Sequence, residues 1–129
     1  MASGPGVQRA KDALDMWLGG GGVVRLWKVA PGFDGTGGTE SVPAGGAPTV
    51  SFQPAVAGTG GQIAKAQSGP VTFSGVPDAS SAIVALSIHD PSDGSLIAID
   101  RAWSAPGAGW SSGDSPQLAY VSVPFVPAS

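Results

Sequence analysis

The chain has 129 residues, 21 of them Gly, 12 Pro and none Cys, with 42% hydrophobic and 12% charged, so one domain with a real core is expected and a disulfide framework is excluded. A net charge of −3 removes the phosphate attraction that drives nucleic-acid binding, and no apolar run nears the ~20 residues needed to cross a bilayer. The N-terminus lacks the continuous apolar core of a secretion signal, so the chain reads as soluble and made in the cytoplasm.

After Met1–Gly6, apolar Val7, Ala10, Leu14, Trp17 and Leu18 recur at helical spacing, which predicts one amphipathic helix of about three turns ended by Gly19–Gly22. A helix this short needs a surface for its apolar stripe, supplied either by the rest of the chain or by a neighbouring subunit. Val23–Val29 predicts a strand, with Val24, Leu26 and Lys28 opposed to Val23, Arg25, Trp27 and Val29. Ala30–Pro48, rich in Gly and Pro, predicts a long excursion. A short strand follows at Thr49–Gln53, with Val50 and Phe52 on one face.

Gln62–Phe73 reads as strand broken at Gly69-Pro70, an edge or a bulge because proline lacks the N–H a ladder needs. Ala82–His89 is the most apolar run, with Val84, Leu86 and Ile88 expected to face one way. Asp90-Pro91-Ser92-Asp93-Gly94 is a strong turn signal, and Ser95–Trp103 is its hairpin partner. A Gly- and Ser-rich loop then leads to Gln117–Phe125, expected as one last strand. Strands with turn signals every ten to fifteen residues predict an all-β antiparallel β-sandwich with a short N-terminal amphipathic helix, residues 1–22 forming an arm and helix and 23–129 the sandwich.

Several of these segments together resemble a family. Asp15–Gly19 (D-x-W-L-G), Val29–Pro31, Gly37–Glu40 (G-G-T-E), Gly60–Ile63, Val71–Phe73 (V-T-F), Ile88–Gly94 and Gly113–Pro116 (G-D-x-P) follow the order seen in small bacteriophage virion proteins labelled tail fibre or minor tail protein. The chain departs from that pattern at Pro77–Ser81, where the family carries a Trp-Gly-Thr segment. The resemblance implies a virion structural protein.

Candidate chemistry is sparse, with one His, one Glu and three Lys in the whole chain. Gly109-Trp110-Ser111-Ser112-Gly113 matches G-x-S-x-G, but no helix pattern follows and the one histidine lies upstream, so a plain turn is expected. His89 beside Asp90 has no identifiable nucleophile to serve and is expected at the surface. Asp90, Asp93 and Ser95, or Asp34, Thr36 and Glu40, offer oxygens without the spacing of a calcium loop, and no cofactor or metal is expected.

The residues left for function are apolar. The stripe Val7, Ala10, Leu14, Trp17 and Leu18 is expected to dock on other virion subunits, the major capsid protein first among them. Trp103 and Trp110 flank a loop in which an aromatic face can stack on a sugar ring. Two readings follow: a non-enzymatic capsid decoration or minor capsid protein, homo-oligomeric with a trimer among the options, or a tail-fibre or minor tail module binding a host-surface glycan. Neither involves nucleic acid or membrane insertion.

Overall fold

The helix opens the described part of the chain, which in this computed structural model comprises residues 5–125. Helix α1 (Pro5–Leu18) begins at a proline, whose missing N–H is no loss in a first turn where those groups have no intrahelical partner. It ends as the glycine run predicts: the Gly21 N–H donates to Leu18 O at 2.9 Å, and Gly21 takes a φ of 82° that a side chain would oppose. No helix among the described residues is long and apolar enough to cross a membrane.

Ten strands follow: β1 (Gly22–Val29), β2 (Thr39–Ser41), β3 (Thr49–Val50), β4 (Val56–Ala57), β5 (Ala64–Gln67), β6 (Val71–Thr72), β7 (Ala85–His89), β8 (Leu96–Asp100), β9 (Gln117–Leu118) and β10 (Ser122–Phe125). All pairings are antiparallel. One sheet runs β2-β1-β7-β8 with β3 also on β1, a second runs β10-β5-β4, and β6 pairs with β9. The fold is therefore mostly strands in antiparallel sheets with one short helix, and the sheets do not close on one another.

Strand periodicity places the core. Val24 pairs with Ile88 and Leu26 with Leu86, and these four side chains lie buried beside Val71, Phe73, Val76, Leu118, Val121 and Val123. β7 is buried along its whole length because its opposite face, Ala85, Ser87 and His89, is covered too. The excursion after β1 folds back along β8: Pro31 is fully buried, the Arg101 guanidinium donates to Pro31 O at 3.1 Å, and a Cβ on Gly35 would lie 3.3 Å from that of Leu96.

Four strand expectations change. The excursion contains β2, paired back on β1, and a further short strand, β4, forms at Val56–Ala57, where no element was assigned, paired with β5; strands of two or three residues are too short to leave an alternating pattern. Val84 is exposed and does not continue the Leu86–Ile88 face, because a 3-10 turn at Ser80–Ala82 precedes it and β7 starts only at Ala85. The final strand is two strands: a bend at Ala119–Tyr120 sends β9 to β6 and β10 to β5, so Leu118, Val121 and Val123 are all buried despite their mixed parity. The Gly69-Pro70 break and the Asp90–Gly94 hairpin stand as expected, with Gly94 at φ 76° and its N–H donating to Asp90 O.

Candidate functional site

The helix stripe is largely spent inside the molecule. Ala10, Leu14 and Leu18 belong to the same buried cluster as the strand residues, against β5, β4 and β10, and Leu14 is 0% exposed. Asp15 ties the helix down as well, its Oδ1 accepting the Ala55 N–H at 2.7 Å. Within the described residues these three side chains face the chain's own core, and α1 packs on its strands. The reason is area: an apolar stripe is covered most cheaply by a surface on its own chain, where no association entropy is lost. Val7 is half-buried. Trp17 is 45% exposed and stacks on Phe125, ring centroids 5.8 Å apart, beside Met16 at 74% exposure.

His89 lies inside, not at the surface, and is 4% exposed. It closes a line of hydrogen bonds anchored by the donor-only Trp27 indole at one end and the acceptor-only Gly94 carbonyl at the other. The Trp27 Nε1–H donates to Ser87 Oγ at 2.7 Å, the Ser87 hydroxyl donates to His89 Nε2 at 2.8 Å, and His89 Nδ1–H donates to Gly94 O at 2.9 Å. A serine within reach of a histidine is the geometry of an activated nucleophile. Here Ser87 is 0% exposed and its oxygen is occupied by Trp27, so no substrate carbonyl reaches it. Sequence reasoning missed Ser87, although its spacing of two from His89 puts both on one face of a strand.

The carboxylates singled out as ligands serve their own turns. Asp34 Oδ1 accepts from the Thr36 N–H and hydroxyl, and Asp93 Oδ1 accepts from the Ser95 N–H and hydroxyl. These bonds, the backbone one foremost, hold both carboxyls below the usual carboxylate range. Asp90 Oδ1 does the same for Ser92, and Glu40 pairs with Arg25 at 2.9 Å. Among the described residues no three His, Asp or Glu side chains come together as metal ligands. In the G-x-S-x-G stretch the Ser111 N–H donates to Asp114 Oδ2 within a turn, and the Ser112 hydroxyl donates to Pro77 O. A Cβ on Gly109 would collide with Ser80 Oγ, so packing, not catalysis, requires that glycine.

Trp103 and Trp110 do come together, 6.1 Å between ring centroids at a tilt of 41°. Their roles differ. Trp110 is structural: its ring lies 6.4 Å from buried Phe73, its Nε1–H donates to Asp78 O at 3.1 Å, and its backbone exchanges hydrogen bonds with Ser80. Asp78 also accepts from the Ser41 hydroxyl and pairs with Lys28, fastening this loop to the large sheet. The segment Pro77–Ser81 is thus what holds Trp110.

Trp103 rests on that fixed ring and forms a wall of a cleft of about 280 Å³ with Ser104, Pro106, Leu118, Ala119 and Tyr120. Tyr120 is 52% exposed, brought there by the bend that divides the last strand. Nothing in the sequence pattern assigned it to this place, because even alternation put it on a strand face.

Comparison with family models, with curated proteins and with solved structures finds no match for this chain. The reading of the site rests on its chemistry. It presents two aromatic side chains and two hydroxyls on a rigid base, while His89 and Ser87 are buried and Asp93 is tied in its own turn.

Proposed function

We propose that this chain is a non-enzymatic structural subunit of a bacteriophage particle, a capsid decoration or minor capsid protein made in the host cytoplasm and docked on the major capsid protein. One observation carries the reading: His89 and Ser87 are buried and bonded to each other, and Asp34, Asp90 and Asp93 are tied in their own turns, while Met16, Trp17, Phe33, Val56 and Tyr120 stand exposed. Such a surface is equipped for contact with other proteins. The order of sequence motifs supports the particle assignment. The two larger sheets, sharing one core, act as the halves of a β-sandwich in this reading.

Docking falls to the exposed end of α1, where Met16 precedes Trp17 and Trp17 stacks on Phe125, because Ala10, Leu14 and Leu18 are spent internally. Many identical contacts around a shell make a modest contact strong. The test adds purified chain to shells lacking it and measures occupancy and shell melting. Saturable binding with a raised melting temperature is expected, weakened by Trp17→Ala; shells that neither bind the chain nor gain stability refute the assignment.

The cleft at Trp103 and Tyr120 favours the second reading, a tail module that binds a host-surface glycan, since an aromatic wall with nearby hydroxyls suits the apolar face and polar rim of a sugar ring. Under it Trp103→Ala lowers adsorption to host cells and leaves particle assembly intact. Unchanged adsorption removes it.

A further inference from the structure

The cleft at Trp103 and Tyr120 is built from the core outward. Buried Phe73 carries the Trp110 ring, 6.4 Å between centroids, and Trp110 carries Trp103 at 6.1 Å. Trp110 is pinned, because its indole N–H is spent on Asp78 O and its backbone on Ser80. Trp103 is therefore a preset wall, with buried Leu118, Pro106 and Ala119 as the apolar remainder of the lining. The indole N–H groups of Trp27 and Trp110 are bonded inside the fold, whereas that of Trp103, like the hydroxyls of Ser104 and Tyr120, has no hydrogen-bond partner among the described residues.

We infer that this cleft takes a single neutral pyranose ring, its C–H face on Trp103 and its hydroxyls toward Ser104 and Tyr120, and that it rejects acidic sugars. The inference rests on the glycan reading above and adds the class of sugar. Size limits the ligand first. A cleft of about 280 Å³ lies just under the roughly 300 Å³ at which pockets for drug-sized molecules begin, which leaves room for one ring but not for an extended peptide needing about 3.1 Å of groove per residue. Charge limits it next: none of the six lining residues is Asp, Glu, Lys, Arg or His. The cation closest in sequence, Arg101, is engaged by Pro31 O and by the Phe33 ring, while Asp100 and Asp114, in the two segments that lead into the cleft, accept from the Ala102 and Ser111 N–H groups. A sugar carboxylate would leave water for a site with no cation to pair it, and an unpaired charge is costly to bury. A neutral ring carries no such penalty, since its apolar face covers the indole and its hydroxyls meet the free donors and acceptors around it.

Purified protein is titrated with methyl β-glucopyranoside and methyl β-galactopyranoside as neutral probes and with methyl β-glucuronide and a methyl sialoside as acidic ones. Indole N–H resonances are followed by NMR, and saturation transfer is read on the C–H protons of each sugar. A neutral probe is expected to shift the Trp103 indole signal with a dissociation constant on the order of 1 mM, ordinary for a ligand of about a dozen heavy atoms, and the acidic probes bind at least about tenfold more weakly. Trp103→Ala abolishes the binding, while Trp103→Phe keeps part of it because a smaller aromatic face remains. Should Trp103→Ala fail to fold, saturation transfer on the wild type reads the same contact, strongest on the protons of one sugar face. Acidic probes that bind as well as the neutral ones overturn the inference and leave the glycan reading standing. Silence from all four probes overturns it too, as does neutral binding that Trp103→Ala does not weaken, or a proline-rich peptide that shifts Trp103 where no sugar does. The glycan reading itself falls separately, on host adsorption that Trp103→Ala leaves unchanged.

Discussion

Leu14→Ala is the sharpest probe of whether α1 belongs to the core or is an arm awaiting a partner. The side chain is 0% exposed within the cluster that holds Val71, Phe73 and Val123. Truncation removes its transfer free energy and leaves a cavity that neighbours from the strands fill only in part, a loss of about 2–5 kcal/mol. That is a large share of a total stability of about 5–15 kcal/mol. With a urea dependence of about 1.5 kcal/mol per molar, a loss of about 3 kcal/mol lowers the unfolding midpoint by about 2 M. Urea titrations followed by tryptophan fluorescence and by far-ultraviolet circular dichroism measure it, with Met16→Ala on the exposed face as the control, expected within about 0.5 kcal/mol of wild type. A helix-only transition, seen by circular dichroism at low urea while the fluorescence midpoint holds, would refute the shared core. So would a midpoint for Leu14→Ala equal to that of Met16→Ala.

Ser87→Ala leaves the Trp27 N–H and His89 Nε2 without partners inside the sheet and is expected to cost about 1–3 kcal/mol in thermal or urea unfolding, with no effect on shell binding. Gly109→Ala meets Ser80 and forces a residue with a side chain to φ 72°, so a loss above about 1 kcal/mol is expected, with less at Gly107, which has a similar φ but open space around it. Asp34 and Asp93 are expected to titrate by carboxyl NMR below the ordinary value of 3.8, because the folded state bonds to their charged forms. Their lowered folded values mean that the stability they contribute is present above the unfolded carboxylate value and is lost as pH falls through the folded ones. Ser95→Ala removes one of the two bonds at Asp93 and moves its midpoint part of the way back toward 3.8.

Local chemistry alone carries some features of this molecule. The spacing of Ala10, Leu14 and Leu18 makes a helix whatever covers it, the glycine run ends it, and Asp90–Gly94 turns the chain because proline and glycine preset the backbone there. The alternation Val24, Leu26 in β1 likewise names the buried face before any partner is known. What covers a face is a different matter, since it depends on residues far away in sequence. Only the assembled sheets decide that the stripe of α1 is covered by β5 and β10, that His89 is enclosed by Trp27 and Ser87, and that Trp110 is held by Asp78 while Trp103 remains at a cleft. Tyr120 reaches that cleft through a bend at which β9 and β10 choose different partners, and pairing energy between distant strands leaves no mark in a local pattern. Backbone preference is written residue by residue along the chain, whereas burial is a property of the neighbours that folding brings together.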